Sequence, residues 1–151
     1  MAKPSFINLH NAYQRILDEY PAGNPCDGGW DNQCAIRMSI ALSDELTIQV
    51  NKSTYSEPKC AHGHARGAES LANWLWKHHL GRPTILTGSA EDRIKLGQKT
   101  GIIFFKDCFA RLGETDETRT GDHIDVWNRG RTATYDDPAH RSKQVWFWEL
   151  A

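Results

Sequence analysis

The sequence predicts an α+β fold, with N-terminal helices packed on an antiparallel sheet. Three observations carry that expectation. Residues 5 to 19 and Ala68 to Leu80 repeat apolar side chains at helical spacing. A further helix opens at Cys34, directly after a loop rich in glycine and proline. From Gly101 onward, short β-branched and aromatic runs follow one another without helices between them, as strands of an antiparallel sheet do.

Phe6, Leu9, Tyr13, Ile16, Leu17 and Tyr20 place one apolar stripe on the first helix, which Pro21 stops. Pro21 to Asp31 is loop-forming, with Pro21, Gly23, Asn24, Pro25, Asp27, Gly28 and Gly29. It runs into Asn32-Gln33-Cys34, where Asp31 or Asn32 suits an N-cap. Ile36, Ile40 and Ala41 continue that helix to about Leu42, so Cys34 falls in its first turn. Residues 43 to 67 are polar and punctuated, and read as a surface excursion. The helix from Ala68 to Leu80 carries Leu71, Trp74, Leu75 and Trp76 and stops at Gly81. Ser89 before Ala90, Glu91 and Asp92 caps a short fourth helix.

Gly101-Ile102-Ile103-Phe104-Phe105 has the composition of a buried strand. Arg111 to Thr120 is a charged, threonine-rich loop. His123 to Asn128 and Arg131 to Tyr135 form a hairpin turning at Arg129-Gly130, and Val145-Trp146-Phe147-Trp148 is the last strand.

A chain of 151 residues suffices for one core, so residues 1 to 151 are expected to form one domain. With 18 basic against 19 acidic residues there is no basic stripe, which argues against nucleic acid as partner. No apolar run approaches the roughly 20 residues of a membrane span, and a membrane is not an expected partner. Met1-Ala2-Lys3-Pro4-Ser5-Phe6 lacks the apolar stretch of a secretory signal, so synthesis in the cytoplasm without Sec-type export is expected.

Cys34 and His123 are the candidate reacting pair. A cysteine attacks as thiolate, and a helix N-terminus lowers its pKa through unsatisfied backbone N–H groups. The same groups can donate to an oxyanion. Gly28 and Gly29 permit close approach of backbone and substrate, and Gly29, Trp30 and Asn32 are the expected substrate-binding residues. His123 needs a partner for its second ring nitrogen. A hairpin turning at residues 129 and 130 sets residue 123 opposite Asp136, the first choice, with Asp137 beside it. Asp125 projects to the same strand face as His123 and stays open as an alternative.

Blander readings exist for each residue. A cysteine near a helix start is commonly a small buried hydrophobe, and Arg37 and Met38 can serve merely to cover the helix. His10, His62, His64, His78, His79 and His140 are rival bases. Cys60, His62 and His64 crowd three metal-ligand types together, with Cys26 or Cys108 available as a fourth, which gives an alternative reading as a zinc-stabilised binding module. Besides a nucleophile, the remaining three cysteines allow one disulfide, Cys60 with Cys108 or Cys26 with either.

A cysteine on a helix followed by a histidine on a strand is the order of papain-like cysteine hydrolases. Asn32-Gln33-Cys34-Ala35-Ile36-Arg37-Met38-Ser39 resembles the cysteine segment of type VI secretion amidase effectors of the fourth family. Gly121-Asp122-His123-Ile124-Asp125-Val126-Trp127-Asn128 resembles that family's histidine strand, and Lys99-Thr100-Gly101-Ile102-Ile103 between them also fits.

The resemblance implies an NlpC/P60-like, papain-type fold and no cofactor. The implied activity is hydrolysis of the peptidoglycan stem between γ-D-glutamate and meso-diaminopimelate. It also implies delivery by the type VI tube and spike into a target cell's periplasm, and neutralisation by a cognate immunity protein. Cys34 would be nucleophile and His123 base then acid. The family's third member, an aspartate in the following strand, falls by simple counting at Thr134, and a match to Asp136 requires a longer hairpin. A protein transglutaminase or deamidase on the same fold would present the same cysteine and histidine.

Overall fold

The computed structural model describes residues 2–20, 33–60, 62–134 and 141–151. Helix α1 (Phe6–Glu19) buries Phe6, Leu9, Ala12, Tyr13 and Ile16. Ser5 caps it, its hydroxyl accepting the Asn8 N–H at 3.5 Å. Helix α2 (Cys34–Glu45) packs along α1. At its far end Glu45 accepts the Ser5 and Thr47 N–H groups, each at 2.9 Å, which ties the exit of α2 to the entrance of α1. Gln33 is the N-cap of α2 and makes no side-chain capping bond. The expected caps, Asp31 and Asn32, and the loop from Pro21 lie outside the described residues.

Residues 43 to 67 are more anchored than the polar composition suggests. Ile48, Val50, Tyr55, Cys60 and Ala65 are all buried. The buried Ser39 hydroxyl of α2 accepts the Ala65 N–H at 3.2 Å, and Lys59 and Ala65 form an isolated bridge. The segment is therefore pinned to α2 by a few inward side chains spaced among polar ones.

Helix α3 is shorter than its apolar pattern predicts. It spans Ala68–Leu75 and passes into a π turn over Trp76–Leu80, closed by Gly81 at φ +74°. The wider turn brings residues five apart into register, and the rings of Trp74 and His79 lie 4.4 Å apart. Trp76 meets Trp146 edge-on at 5.2 Å, locking the turn to the sheet.

The sheet has the order β1-β5-β2-β3-β4 and is antiparallel throughout. Its strands are β1 (Thr84–Leu86), β2 (Thr100–Phe109), β3 (Gly121–Asn128), β4 (Arg131–Thr132) and β5 (Gln144–Glu149). β1 has no counterpart in the sequence reading, and the short helix α4 (Ala90–Ile94) follows it with Ser89 as its cap. Alternation along β2 and β5 divides the interior. Ile102, Phe104, Trp146 and Trp148 join the helices in the main core, while Ile103, Phe105, Val145 and Phe147 form a second cluster with Leu96, Cys108 and Trp127. Gly101 lets β5 approach: a Cβ there would lie 1.9 Å from the Trp148 carbonyl oxygen.

The hairpin turns at Arg129-Gly130, both with positive φ (52° and 102°), the two-residue turn that matches strand twist. Among the described residues its ladder runs through Asn128↔Arg131 and Trp127↔Thr132. Beyond Trp127, α2 packs against β3, and residues 133 and 134 bond the Asp125 side chain. Among the described residues, no helix is long and apolar enough to cross a membrane.

Candidate active site

Cys34 is the first residue of α2 and is buried. His123 lies on β3 opposite Phe105, and their rings stack at 6.2 Å. Packing of α2 against β3 brings the cysteine and the histidine into a direct hydrogen bond. The Ile124 backbone N–H also bonds the sulfur.

Burial pushes the Cys34 thiol up. The neighbouring His123 charge and hydrogen bond, the Ile124 N–H and the Arg37 guanidinium outweigh it, and the thiol titrates below its ordinary value. His123 moves the opposite way. Burial pushes it down, but the Cys34 charge and the bonds to Asp125 and Cys34 raise it to about 9. Each group thus shifts the other toward the thiolate–imidazolium form.

Asp125 supplies the second ring contact: its Oδ2 lies 2.7 Å from His123 Nε2. Side chains two apart on a strand share a face, which makes this bond possible without a turn. The carboxylate is fully buried and accepts from five donors. Oδ1 receives the Val126 and Ala133 N–H groups at 2.7 and 3.1 Å. Oδ2 receives His123, the Thr134 N–H at 3.1 Å and the Thr134 hydroxyl at 2.6 Å. Burial raises its pKa, and the bonds to His123 and Thr134 together reverse that, keeping Asp125 ionised. With Nε2 committed to Asp125, Nδ1 is the ring nitrogen that faces Cys34.

A further layer lies beneath the pair. Arg37, expected only to cover the helix, sits one turn after Cys34, and its Nε donates to the buried Tyr13 hydroxyl at 3.5 Å. Burial first, and then the Asp125 charge, hold the Tyr13 phenol well above its ordinary range, so it remains a neutral hydroxyl. The signal for Arg37 was its spacing: residues three apart on a helix are neighbours. Met38 is core.

Of the aspartates considered for orienting His123, Asp125 is the one among the described residues that bonds the ring, and Ala133 and Thr134 fold onto its carboxylate. Asp136 and Asp137 themselves, like Gly29, Trp30, Asn32, Cys26 and His140, lie outside the described residues. The rival histidines are engaged elsewhere. His78 and His79 lie against Trp74, and His10 against Phe6. His64 Nδ1 lies 3.6 Å from Cys60 Sγ, with His62 beside it. Among the described residues no group of three or more His, Cys, Asp or Glu is placed to hold a metal ion. Of the pairings the sequence allows, Cys60–Cys108 is not formed, and these residues lie in separate apolar clusters.

A thiol of lowered pKa at a helix N-terminus, an imidazole beside it and a buried carboxylate behind the ring can perform acyl transfer through a thioester. Residues 30–148 match the family model described as type VI secretion system amidase effector protein 4, Tae4. No curated protein sequence matches the chain. The fold is similar to that of the type VI effector Tae4 from Enterobacter cloacae, with TM-score 0.72 at 17% identity over 99% of this chain and 98% of that one. It is also similar to the Tae4–Tai4 effector–immunity complex from Salmonella Typhimurium, with TM-score 0.71 at 18% identity over 99% and 100%. The corresponding complex from Enterobacter cloacae gives 0.67 at 19% identity over 99% and 100%. With the family model spanning most of the sequence and the helix-on-sheet architecture shared, the chain belongs to the Tae4 family of type VI secretion amidase effectors.

Proposed function

We propose that residues 1 to 151 act as one amidase domain that cuts the peptide stem of peptidoglycan between γ-D-glutamate and meso-diaminopimelate, with Cys34 as nucleophile. The observation that supports it most is the hydrogen-bonded Cys34–His123 pair backed by Asp125, in a chain of this family.

The Cys34 thiolate adds to the γ-glutamyl carbonyl, and backbone N–H groups at the start of α2 donate to the oxyanion. His123 then gives its Nδ1 proton to the departing amine of diaminopimelate as the C–N bond breaks. Water attacks the thioester, its proton passing to His123, and the Cys34 thiolate leaves. Asp125 holds the ring in place through both steps. Gly29, Trp30 and Asn32, immediately upstream of the nucleophile, remain the proposed substrate-binding residues.

In this reading the protein is made in the cytoplasm, carried by the tube and spike of a type VI apparatus, and acts in the periplasm of a target bacterium. Sister cells are protected by a cognate immunity protein, as the effector–immunity pairing named for the similar structures suggests. Digestion of purified sacculi with identification of fragments by mass tests the proposal. Wild type should release stems ending in γ-D-glutamate, and Cys34→Ala should release none while keeping its circular dichroism. Full release by the Ala variant, or cleavage at another bond, would sink it.

A further inference from the structure

We infer that Thr134 is a positioning residue for His123, its hydroxyl acting as a lock on which ring nitrogen carries the proton. This rests on the assignment of Cys34 and His123 as the reacting pair.

The Thr134 hydroxyl has one hydrogen and two neighbours. Thr134 Oγ1 lies 2.6 Å from Asp125 Oδ2 and 3.2 Å from His123 Nε2. An ionised carboxylate only accepts, so the single hydroxyl hydrogen points to Asp125. The side of Oγ1 facing the ring is then a lone pair, and Nε2 meets two acceptors, Asp125 Oδ2 and Thr134 Oγ1. That surrounding is compatible only with a proton on Nε2. A bare Nε2 would face two acceptors with nothing to donate. The proton exchanged during catalysis is thereby confined to Nδ1, on the Cys34 side.

The Val126 and Ala133 N–H groups hold Asp125 Oδ1, and Oδ2, the oxygen that meets the ring, is held by Thr134. Thr134 restrains it twice, through the hydroxyl and the backbone N–H at 3.1 Å. Thr134 is itself exposed, so replacing it opens no cavity.

Three variants test this: Thr134→Val, which keeps the shape and removes the hydroxyl, Thr134→Ala, and Thr134→Ser, which keeps the hydroxyl. Two readouts are needed. One is kcat and KM on a purified disaccharide–tetrapeptide containing meso-diaminopimelate. The other is the rate of Cys34 alkylation by iodoacetamide at neutral pH, located by peptide mass.

Val should lose about ten- to a hundredfold in kcat with KM nearly unchanged, the scale of one hydrogen bond to a charged group. Its Cys34 alkylation should slow by about tenfold by the same reasoning. Ser should restore both readouts to within about twofold, since it keeps that bond. If Val does not fold, Ala carries the same expectation. Alkylation at the wild-type rate in a folded variant lacking the hydroxyl, or failure of Ser to rescue, overturns the inference. If wild type leaves the muropeptide intact while Val still slows alkylation, the substrate assignment falls and the positioning role stands.

Discussion

Asp125 reaches His123 from within the same strand, its Oδ2 2.7 Å from Nε2 and its other bonds made by the Val126 N–H and by the chain that folds back after β4. The carboxylate is therefore both an orienting group for the imidazole and the anchor for residues 133 and 134.

Those two roles separate by mutation. Asp125→Asn keeps an acceptor for the backbone donors but loses the charge that holds the imidazolium, and kcat should fall on the order of a hundredfold to ten-thousandfold. Asp125→Ala strands the Val126, Ala133 and Thr134 N–H groups as well, at about 1–3 kcal/mol for each one left buried and unpaired. Muropeptide kinetics and thermal melts should show Asn as mainly catalytic and Ala as catalytic and unstable together. Near wild-type kcat for Asn would remove Asp125 from the site.

The coupled shifts of Cys34 and His123 set the pH behaviour. Activity should rise on an acidic limb below the ordinary thiol range and fall on an alkaline limb near pH 9, where His123 loses the proton it must donate. For stability, the folded His123 value lies above its unfolded value of 6.5. Its contribution is thus complete below about pH 6.5 and lost as pH rises through about 9. In His123→Ala the burial of Cys34 is no longer opposed by the imidazolium, and the alkylation rate should titrate at or above the ordinary thiol range.

Asp122, next to His123 in sequence, behaves in the opposite sense to Asp125. Burial, only partly offset by the Asp107 N–H at 2.9 Å, raises its carboxyl to about 6. A carboxylate raised in the fold favours the folded state while protonated, so its contribution is present below about 3.8 and lost as pH rises through about 6. Asp122→Asn, which keeps an acceptor for that N–H, should melt above wild type at pH 7.5, with the gap shrinking toward pH 4.5. A gap independent of pH would contradict this.

Gly101 marks the closest approach of β2 and β5. A methyl group there would sit 1.9 Å from the Trp148 carbonyl oxygen, which no flexible side chain can relieve. Gly101→Ala should lower stability by about 2 kcal/mol or more, within the range for forced overpacking. Denaturant midpoints would show it, and an unchanged midpoint would mean the strands slide apart freely.

Much of this site is legible in the sequence because its signals are local. Cys34 follows a loop rich in glycine and opens a helical period, and His123 sits in a run of strand formers. The hairpin turn at residues 129 and 130 is equally local, and its register matches the counting that paired residue 123 with residue 136. Counting along the strand does not register side-chain competition. Two pairs beyond the turn, the carboxylate of Asp125 competes for the backbone donors of Ala133 and Thr134 and takes them from the strand. The π turn after Leu75 was hidden for a similar reason: its cause is the contact of Trp76 with Trp146, far away in sequence. β1 is three residues long and acquires its identity only by pairing with β5.

The Ile124 N–H and the His123 ring reach Cys34 only when β3 has docked against α2. In the unfolded chain Cys34 is one ordinary thiol among four. Its reactivity toward an alkylating agent is accordingly a clock for assembly: it switches on when these two distant segments meet, and the toxin carries no armed nucleophile before that moment.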